Sequence, residues 1–577
     1  MSVLSLAKGR RGRILLVCGF VLLGFAADAR RLWRLATNED GESCGRVNSI
    51  ATSVIPSFRG AIYDRDGRKH PLAISRVWWK VAYDPSAVRD TNQLARIHDV
   101  LDGYGVFAPD RVDRALAERV KRYNPIGEMD VKAVRDDLAT NPVVARCTSA
   151  ERIDRRTYPP NRILCHVLGA LRGDGVPRSG IEATLDRILR GTDGVATNHV
   201  SATREVIERI DTVPPQDGAD VFLSIDLRLQ EIVEEALDEG IAEFHPQAAW
   251  AVVQDPWTGE ILALASRPAF DPARFYEATA AEQMNNAIGR QYEPGSVMKS
   301  FAAAAALESG LVSTNTMLDV TPGLYCGKPL RDHTHGQSEL SLTQVLSYSS
   351  NRGAARLGMA LGKDRQQAFL KAFGFGSKTG IPLPGELKGA TVGDGSALNH
   401  IRVSMGQGMT ATAIQLATGY SAFANGGKVM KPILVKGIDA ADGSPLLRET
   451  PKVVSTPISE RTARDMRFML SRVAIRGEGT ARRAAVRGYT VAGKTGTAQM
   501  AVRGGYSQTD YHSSFIGFLP AFNPRLTILV TMAAPRDPEH PGKGVDGGVC
   551  SAPVFRKIAE EAMALYRVEP DRPEELE

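Results

Sequence analysis

Ser296-Val297-Met298-Lys299, Ser349-Ser350-Asn351 and Lys494-Thr495-Gly496 follow one another in this order, and together they constrain the chain more than any other feature. Each needs its own local structure. Tyr292-Glu293-Pro294-Gly295 reads as a turn, and Val297 to Leu307 as a helix that closes near Gly310. Ser296 then stands at a helix N-terminus, where unpaired N–H groups and the dipole favour developing negative charge. Lys299 lies one turn on, within reach of the Ser296 hydroxyl. The alanines of this run are apolar on nearly every face, which predicts a helix buried at the centre of its domain. Burial, with a second cation at Lys494, would depress the Lys299 pKa and make its amine a general base.

Ser349 and Asn351 follow the apolar stretch Leu342 to Leu346, which predicts a short connection between helices facing Ser296. A hydroxyl there can relay a proton to a leaving amine, and an amide can orient Lys299 and a carbonyl. The competing reading is a plain helix N-cap. Lys494-Thr495-Gly496-Thr497 follows the β-like run Gly488 to Gly493, which predicts an edge strand. The Thr497 N–H would then join that of Ser296 as an oxyanion hole. Lys494 and the Thr495 and Thr497 hydroxyls would hold a carboxylate, and Gly496 would leave room for its approach. A second triplet, Lys378-Thr379-Gly380, lies in a Gly- and Pro-rich loop with no strand before it and reads as a decoy.

The ordered set S-x-x-K, S-x-N and K-T-G is the signature of serine acyl-transfer enzymes acting on D-Ala-D-Ala termini or on β-lactams. The chain resembles class B penicillin-binding proteins, and among them the division-type (FtsI-like) peptidoglycan D,D-transpeptidases. Arg59-Gly60-Ala61-Ile62-Tyr63-Asp64-Arg65-Asp66-Gly67, Arg156-Thr157-Tyr158-Pro159, His166 to Gly169 and Gly180-Ile181-Glu182 resemble blocks of the non-catalytic domain of that class. Leu223 to Asp226 with Gln230, Asp255 to Glu260, Gly406-Gln407-Gly408 and Ala424 to Gly427 resemble blocks of its catalytic domain. Asn161 stands where the class usually has a glycine. The Ser-Ser-Asn form favours the division type over the elongation type.

The resemblance implies an α/β (α+β) architecture. It comprises a penicilloyl serine transferase (β-lactamase-like) domain, with an antiparallel sheet between helical layers, behind a membrane anchor and a mixed pedestal. The expected divisions are a cytoplasmic tail (1–13), an anchor (14–35), a pedestal (36–212), a transpeptidase domain (213–567) and a flexible tail (568–577). Ser296, Lys299, Ser349, Asn351 and Lys494 are the expected catalytic residues, with Thr495, Gly496 and Thr497 binding substrate. The resemblance further implies peptidoglycan stem peptides and β-lactams as ligands, and a membrane-embedded glycan polymerase and other division proteins as partners. No cofactor is expected. Arg59, Asp64, Arg65, Arg156 and Glu182 are expected to form an ion-pair cluster in the pedestal.

Composition fits this reading and excludes others. The 577 residues exceed one ordinary domain, and 43% hydrophobic with 24% charged residues describe globular protein. The balance of 71 basic and 65 acidic residues is too diffuse for nucleic-acid binding. No C-x-x-C or H-E-x-x-H occurs, so no metal is expected, and His333-Thr334-His335 lacks a third ligand nearby. Of six cysteines, Cys147 and Cys165 could close a loop, which the sequence leaves open. Lys8, Arg10, Arg11 and Arg13 precede the apolar run Ile14 to Ala27, which fits a signal core or a short span. The pattern continues through Leu32, Trp33 and Leu35, which favours a retained anchor in the inner membrane with the N-terminus in the cytoplasm and the rest outside it. A β-lactamase would need an E-x-x-L-N block after Asn351, a sensor would need more spans, and an idle scaffold should have eroded motifs.

Overall fold

The computed structural model describes residues 21–22, 24–30, 33, 49–88, 91–118, 121, 123–172, 175–200, 206–332, 337–391, 396–475, 479–502, 505–540 and 543–575. The expected cytoplasmic tail, much of the expected anchor and His333-Thr334-His335 lie outside these. Among the described residues no helix is long and apolar enough to cross a membrane.

A five-stranded antiparallel sheet organises the catalytic half. Its order is Ile261–Arg267, Ala248–Gln254, Leu526–Ala533, Gly505–Leu519 and Ala492–Val502. Period-two alternation feeds two cores. Ala249, Ala251 and Val253 face one, with Phe515 and Ile528. Ala248, Trp250 and Val252 face the other, with Ile516 and Leu529. Helices Leu227–Phe244 and Ser551–Leu565 contribute to the first core, and Met298–Glu308 and Ala413–Ala424 to the second. The sheet therefore lies between helical layers, as expected. The sequence reads as a helix from Leu227 to Leu237, and the helix formed runs on to Phe244. Asp226 caps its start by accepting from the Arg228 N–H.

The second sheet joins pedestal to catalytic segments. Ile62–Asp64 pairs in parallel with Asp220–Leu223, which pairs antiparallel with Val435–Asp439. Strand Gly67–Tyr83 continues the sheet, flanked by Asn124–Met129 and Thr148–Thr157. Two compact units result: 59–190 with 218–577, and the first 58 residues with 191–217. The smaller unit carries a three-stranded antiparallel sheet, Ser49–Ile55, Gly194–Val200 and Val206–Val213. The charged run Arg111 to Tyr123 reads as a helix in the sequence; the helix formed is Pro109–Ala117, because Glu118 is already extended and a strand begins at Asn124, before Pro125.

Three of the five expected pedestal charges meet. The buried Glu182 carboxylate accepts from Arg59 Nε at 2.6 Å and Arg156 Nε at 2.7 Å. Arg59 also pairs with Asp186 at 2.7 Å. Asp64 and Arg65 lie apart from this group. Arg65 pairs with Glu260 of the catalytic hairpin at 3.1 Å, and Asp64 accepts from His70, the Asp66 N–H and the Leu227 N–H. Asn161 has a φ of +56°, so the position keeps the left-handed backbone that glycine supplies, in a residue type that tolerates it. Cys147 and Cys165 are both free and buried. The C-terminal segment, expected to be loose, is docked: Thr490 N–H donates to Asp571, and Arg487 and the Gly488 N–H to Glu575.

Candidate active site

Ser296 sits in a short 3-10 turn, Gly295–Val297, that runs into helix Met298–Glu308. Every residue from Met298 to Ala306 is buried, as the alanine run predicted. Two glycines let this turn dock. Gly295, at φ +59°, lies where a Cβ would come within 2.9 Å of the Thr497 carbonyl oxygen. A Cβ on Gly496 would meet the Pro294 oxygen at 2.9 Å and Val297 Cγ2 at 3.0 Å. Gly496 therefore lets the turn that carries Ser296 seat on the strand.

The Lys299 side chain is wholly buried. Its Nζ donates to Ser349 O (2.5 Å), Ser349 Oγ (3.1 Å) and Asn351 Oδ1 (2.8 Å). These three bonds match the donor capacity of an ammonium, so in this arrangement the amine is held by the second motif rather than by Ser296. Burial pushes its pKa down to about 7, against a raising influence from Asp332. The neutral amine is thus accessible near neutrality.

Ser349-Ser350-Asn351 links helices Leu342–Ser347 and Asn351–Leu361. Ser349 has a φ of +60°, a strained conformation for a non-glycine residue, which turns both its carbonyl and its hydroxyl onto Lys299. The N-cap role that competed for these residues falls to the middle serine: Ser350 Oγ accepts from the Gly353 N–H. That leaves Ser349 and Asn351 to Lys299.

Lys494-Thr495-Gly496-Thr497 lies on the edge strand, in register with Ile516 to Ser513. Lys494 is also wholly buried, and its Nζ donates to Thr495 O (3.3 Å) and Oγ1 (3.2 Å). Burial, then the charge of Lys299, lowers its pKa well below the ordinary lysine value. The expected electrostatic influence thus runs mainly from Lys299 to Lys494, while burial itself depresses Lys299. Thr497 Oγ1 accepts from the Gly547 N–H at 3.3 Å. The second triplet stays outside the site, with Lys378 exposed in a loop.

Several contributors escaped the sequence reading. Glu293 Oε1 accepts from the Gly408 N–H at 2.8 Å and the Tyr506 hydroxyl at 2.9 Å, tying one loop and the start of strand Gly505–Leu519 to the turn that carries Ser296. The Gly295 N–H donates to Gly406 O at 3.1 Å, and a Cβ on Gly406 would stand 2.1 Å from the Gly295 oxygen. Gly406-Gln407-Gly408 was visible as a motif but without a role. Asp332 binds the second motif and sits in a stretch with no pattern to mark it. Among the described residues, Asp64, Asp66 and His70 bring potential ligand atoms within 4.8 Å of one another. Both Asp64 oxygens are already engaged by protein groups, so the group reads as structural.

Comparison with known proteins agrees with this geometry. The penicillin-binding protein transpeptidase domain matches residues 249–560, and the penicillin-binding protein dimerisation domain matches 54–223. The chain belongs to the penicillin-binding protein transpeptidase family. Its dimerisation domain followed by a transpeptidase domain makes it a class B member. It is 30% identical to the probable peptidoglycan D,D-transpeptidase PenA of Neisseria gonorrhoeae, over 91% of this chain and 87% of that protein. It is 28% identical to the peptidoglycan D,D-transpeptidase FtsI of Escherichia coli, over 97% of this chain and 92% of that protein. Its fold matches penicillin-binding protein 3 of Mycobacterium tuberculosis complexed with ampicillin, with a TM-score of 0.69, 28% identity and coverage of 90% and 97% of the two chains.

Proposed function

We propose that this chain cross-links peptidoglycan by two-step acyl transfer through Ser296. The observation that carries the assignment is the buried Lys299 amine, one turn from Ser296 and clasped by Ser349 and Asn351. Neutral Lys299 takes the Ser296 hydroxyl proton, and Oγ attacks the carbonyl between the two terminal D-alanines. The Ser296 and Thr497 N–H groups receive the oxyanion. Ser349 passes the proton to the departing D-alanine amine. The amine of a neighbouring stem peptide then attacks the acyl-enzyme, gives up a proton by the same route and frees Ser296. Lys494, Thr495 and Thr497 hold the donor carboxylate. A β-lactam acylates Ser296 and stays, consistent with the ampicillin complex of the related protein.

The setting is part of the proposal. The basic cluster and apolar run at the N-terminus support an inner-membrane anchor with the catalytic half outside the cytoplasm. The Ser-Ser-Asn motif and the likeness to FtsI support septal wall synthesis beside a membrane-embedded glycan polymerase. Fluorescent-penicillin labelling with peptide mass spectrometry tests the nucleophile: an adduct on Ser296, lost in Ser296→Ala, is expected, and an adduct on another serine overturns it. Depletion in cells tests the setting. Filamentation is expected, and rounding would assign the chain to elongation instead.

A further inference from the structure

Asp332 gathers the second motif. Its Oδ2 accepts from the Ser350 hydroxyl at 2.5 Å and the Arg352 N–H at 3.2 Å. Its Oδ1 accepts from the Asn351 N–H at 3.1 Å. These are the residues at the start of helix Asn351–Leu361, where N–H groups lack partners within the helix and a carboxylate is favoured. The same carboxylate fixes the two residues that follow the strained Ser349. Ser349, at φ +60°, is followed directly by Ser350 and Asn351, and both are bound to Asp332. The neighbouring carbonyl of Arg331 accepts from Asn351 Nδ2 at 2.9 Å, which turns Oδ1 of that amide to Lys299.

We propose that Asp332 is a positioning residue of the acyl-transfer reaction: by binding Ser350 and Asn351 it keeps Ser349 and the Asn351 amide on Lys299. This rests on the reading of Ser296 and Lys299 as nucleophile and base. The same carboxylate also bears on the charge of Lys299. Lys494, on the edge strand, has its own pKa lowered by burial and then by the charge of Lys299. The guanidinium of Arg352 turns away to the Leu330 and Val320 carbonyls. Asp332 is the charged group that acts in the opposite sense on Lys299. His333 and His335 lie outside the described residues. Without that anion the wholly buried amine would be a weaker base towards a hydroxyl proton.

The test is the pH dependence of acylation by a fluorescent penicillin, with melting temperature as the check on folding. Removing the anion lowers the Lys299 pKa, so its neutral form persists to lower pH. Asp332→Asn is therefore expected to move the acid limb of the rate profile down by about half a pH unit or more, besides slowing acylation. Ser350→Ala, which removes the hydrogen bond to Asp332 and the cap on the Gly353 N–H but keeps the charge, should slow acylation and leave the limb in place. An Asp332→Asn limb at the wild-type position would reduce Asp332 to a structural cap, and a wild-type rate would overturn the proposal entirely. Should Asp332→Asn fail to fold, Asp332→Glu decides: it keeps the charge, so a displaced limb refutes the electrostatic role and an unmoved limb with a slower rate supports it. If the wild-type protein takes up no penicillin at Ser296, the underlying assignment has failed rather than this one.

Discussion

The two Lys-Thr-Gly triplets share letters and little else. Lys494 is wholly buried on an edge strand of the central sheet, whereas Lys378 is exposed in a loop. Flanking residues made the difference. Val491 and Ala492 lead the first copy into a strand, while Gly376, Gly380 and Gly385, all at φ near +80°, bend the second out of any strand. The loop copy is nonetheless instructive. The Thr379 N–H and hydroxyl donate to Glu386 Oε1 at 2.6 and 2.7 Å, and the Gly380 N–H to Oε2 at 3.2 Å. Thr-Gly at this copy is folded round a carboxylate of its own chain. At the edge strand, the corresponding groups lie beside Ser296 and Lys299, where we propose that a substrate carboxylate takes the same part.

Substituting the lysines separates the copies most. Lys494→Ala should slow penicillin acylation by about 10²–10⁴-fold, the range for a group that manages charge or protons in a transition state. Lys378→Ala should stay within about twofold of wild type. Equal losses in second-order acylation rates would mean that the loop copy belongs to the site. The glycines come next. Gly496→Ala puts a Cβ against Pro294 and Val297 and shifts the nucleophile turn, so a loss of about 10²-fold is expected for a displacement near 1 Å. Gly380→Ala has open space and costs only left-handed strain, about 1–2 kcal/mol in denaturant melts, with acylation unchanged. A fast Gly496→Ala enzyme would show that the turn has slack.

The pH profile should also be set at the buried copy alone. On the proposed mechanism the base is the neutral Lys299 amine, whose pKa burial pushes down to about 7, so lowering the pH through that value protonates it and acylation falls. Between pH 8 and pH 6 the loss should be roughly tenfold, and the Lys378→Ala profile should superimpose on it. The smallest effect is expected at Glu386. Glu386→Ala leaves three donors of the loop without their acceptor and should cost about 1–3 kcal/mol of stability, while acylation stays within about twofold.

The chemistry-bearing residues were legible because each motif carries its own local structure. A turn before Ser296, an apolar run before Ser349 and a β-like run before Lys494 place the three groups on elements that the fold then assembles. The alanines of Met298–Glu308 announced burial because a helix apolar on nearly every face has nowhere else to go. Contacts between distant loops carried no such signal. Glu293 with Tyr506, and Asp332 with Ser350, join segments whose local patterns say nothing of each other. The pedestal charges show the same limit. All five stood out, yet sequence alone could not tell that Arg59, Arg156 and Glu182 would meet while Arg65 reached across to Glu260. Helix ends were misjudged where an extended residue or an approaching strand decided the matter, as at Glu118.

The parallel pairing of Ile62–Asp64 with Asp220–Leu223, itself paired with Val435–Asp439, bears on how this kind of protein can be taken apart or recombined. The two halves are not beads on a string. A cut near residue 213 removes the neighbour of Asp220–Leu223 and bares a row of backbone donors and acceptors, an invitation to pair with another molecule. A hybrid that borrows one half from a relative must match strand register as well as sequence, since a slip of one residue turns Ile62 and Val221, both fully buried, outward.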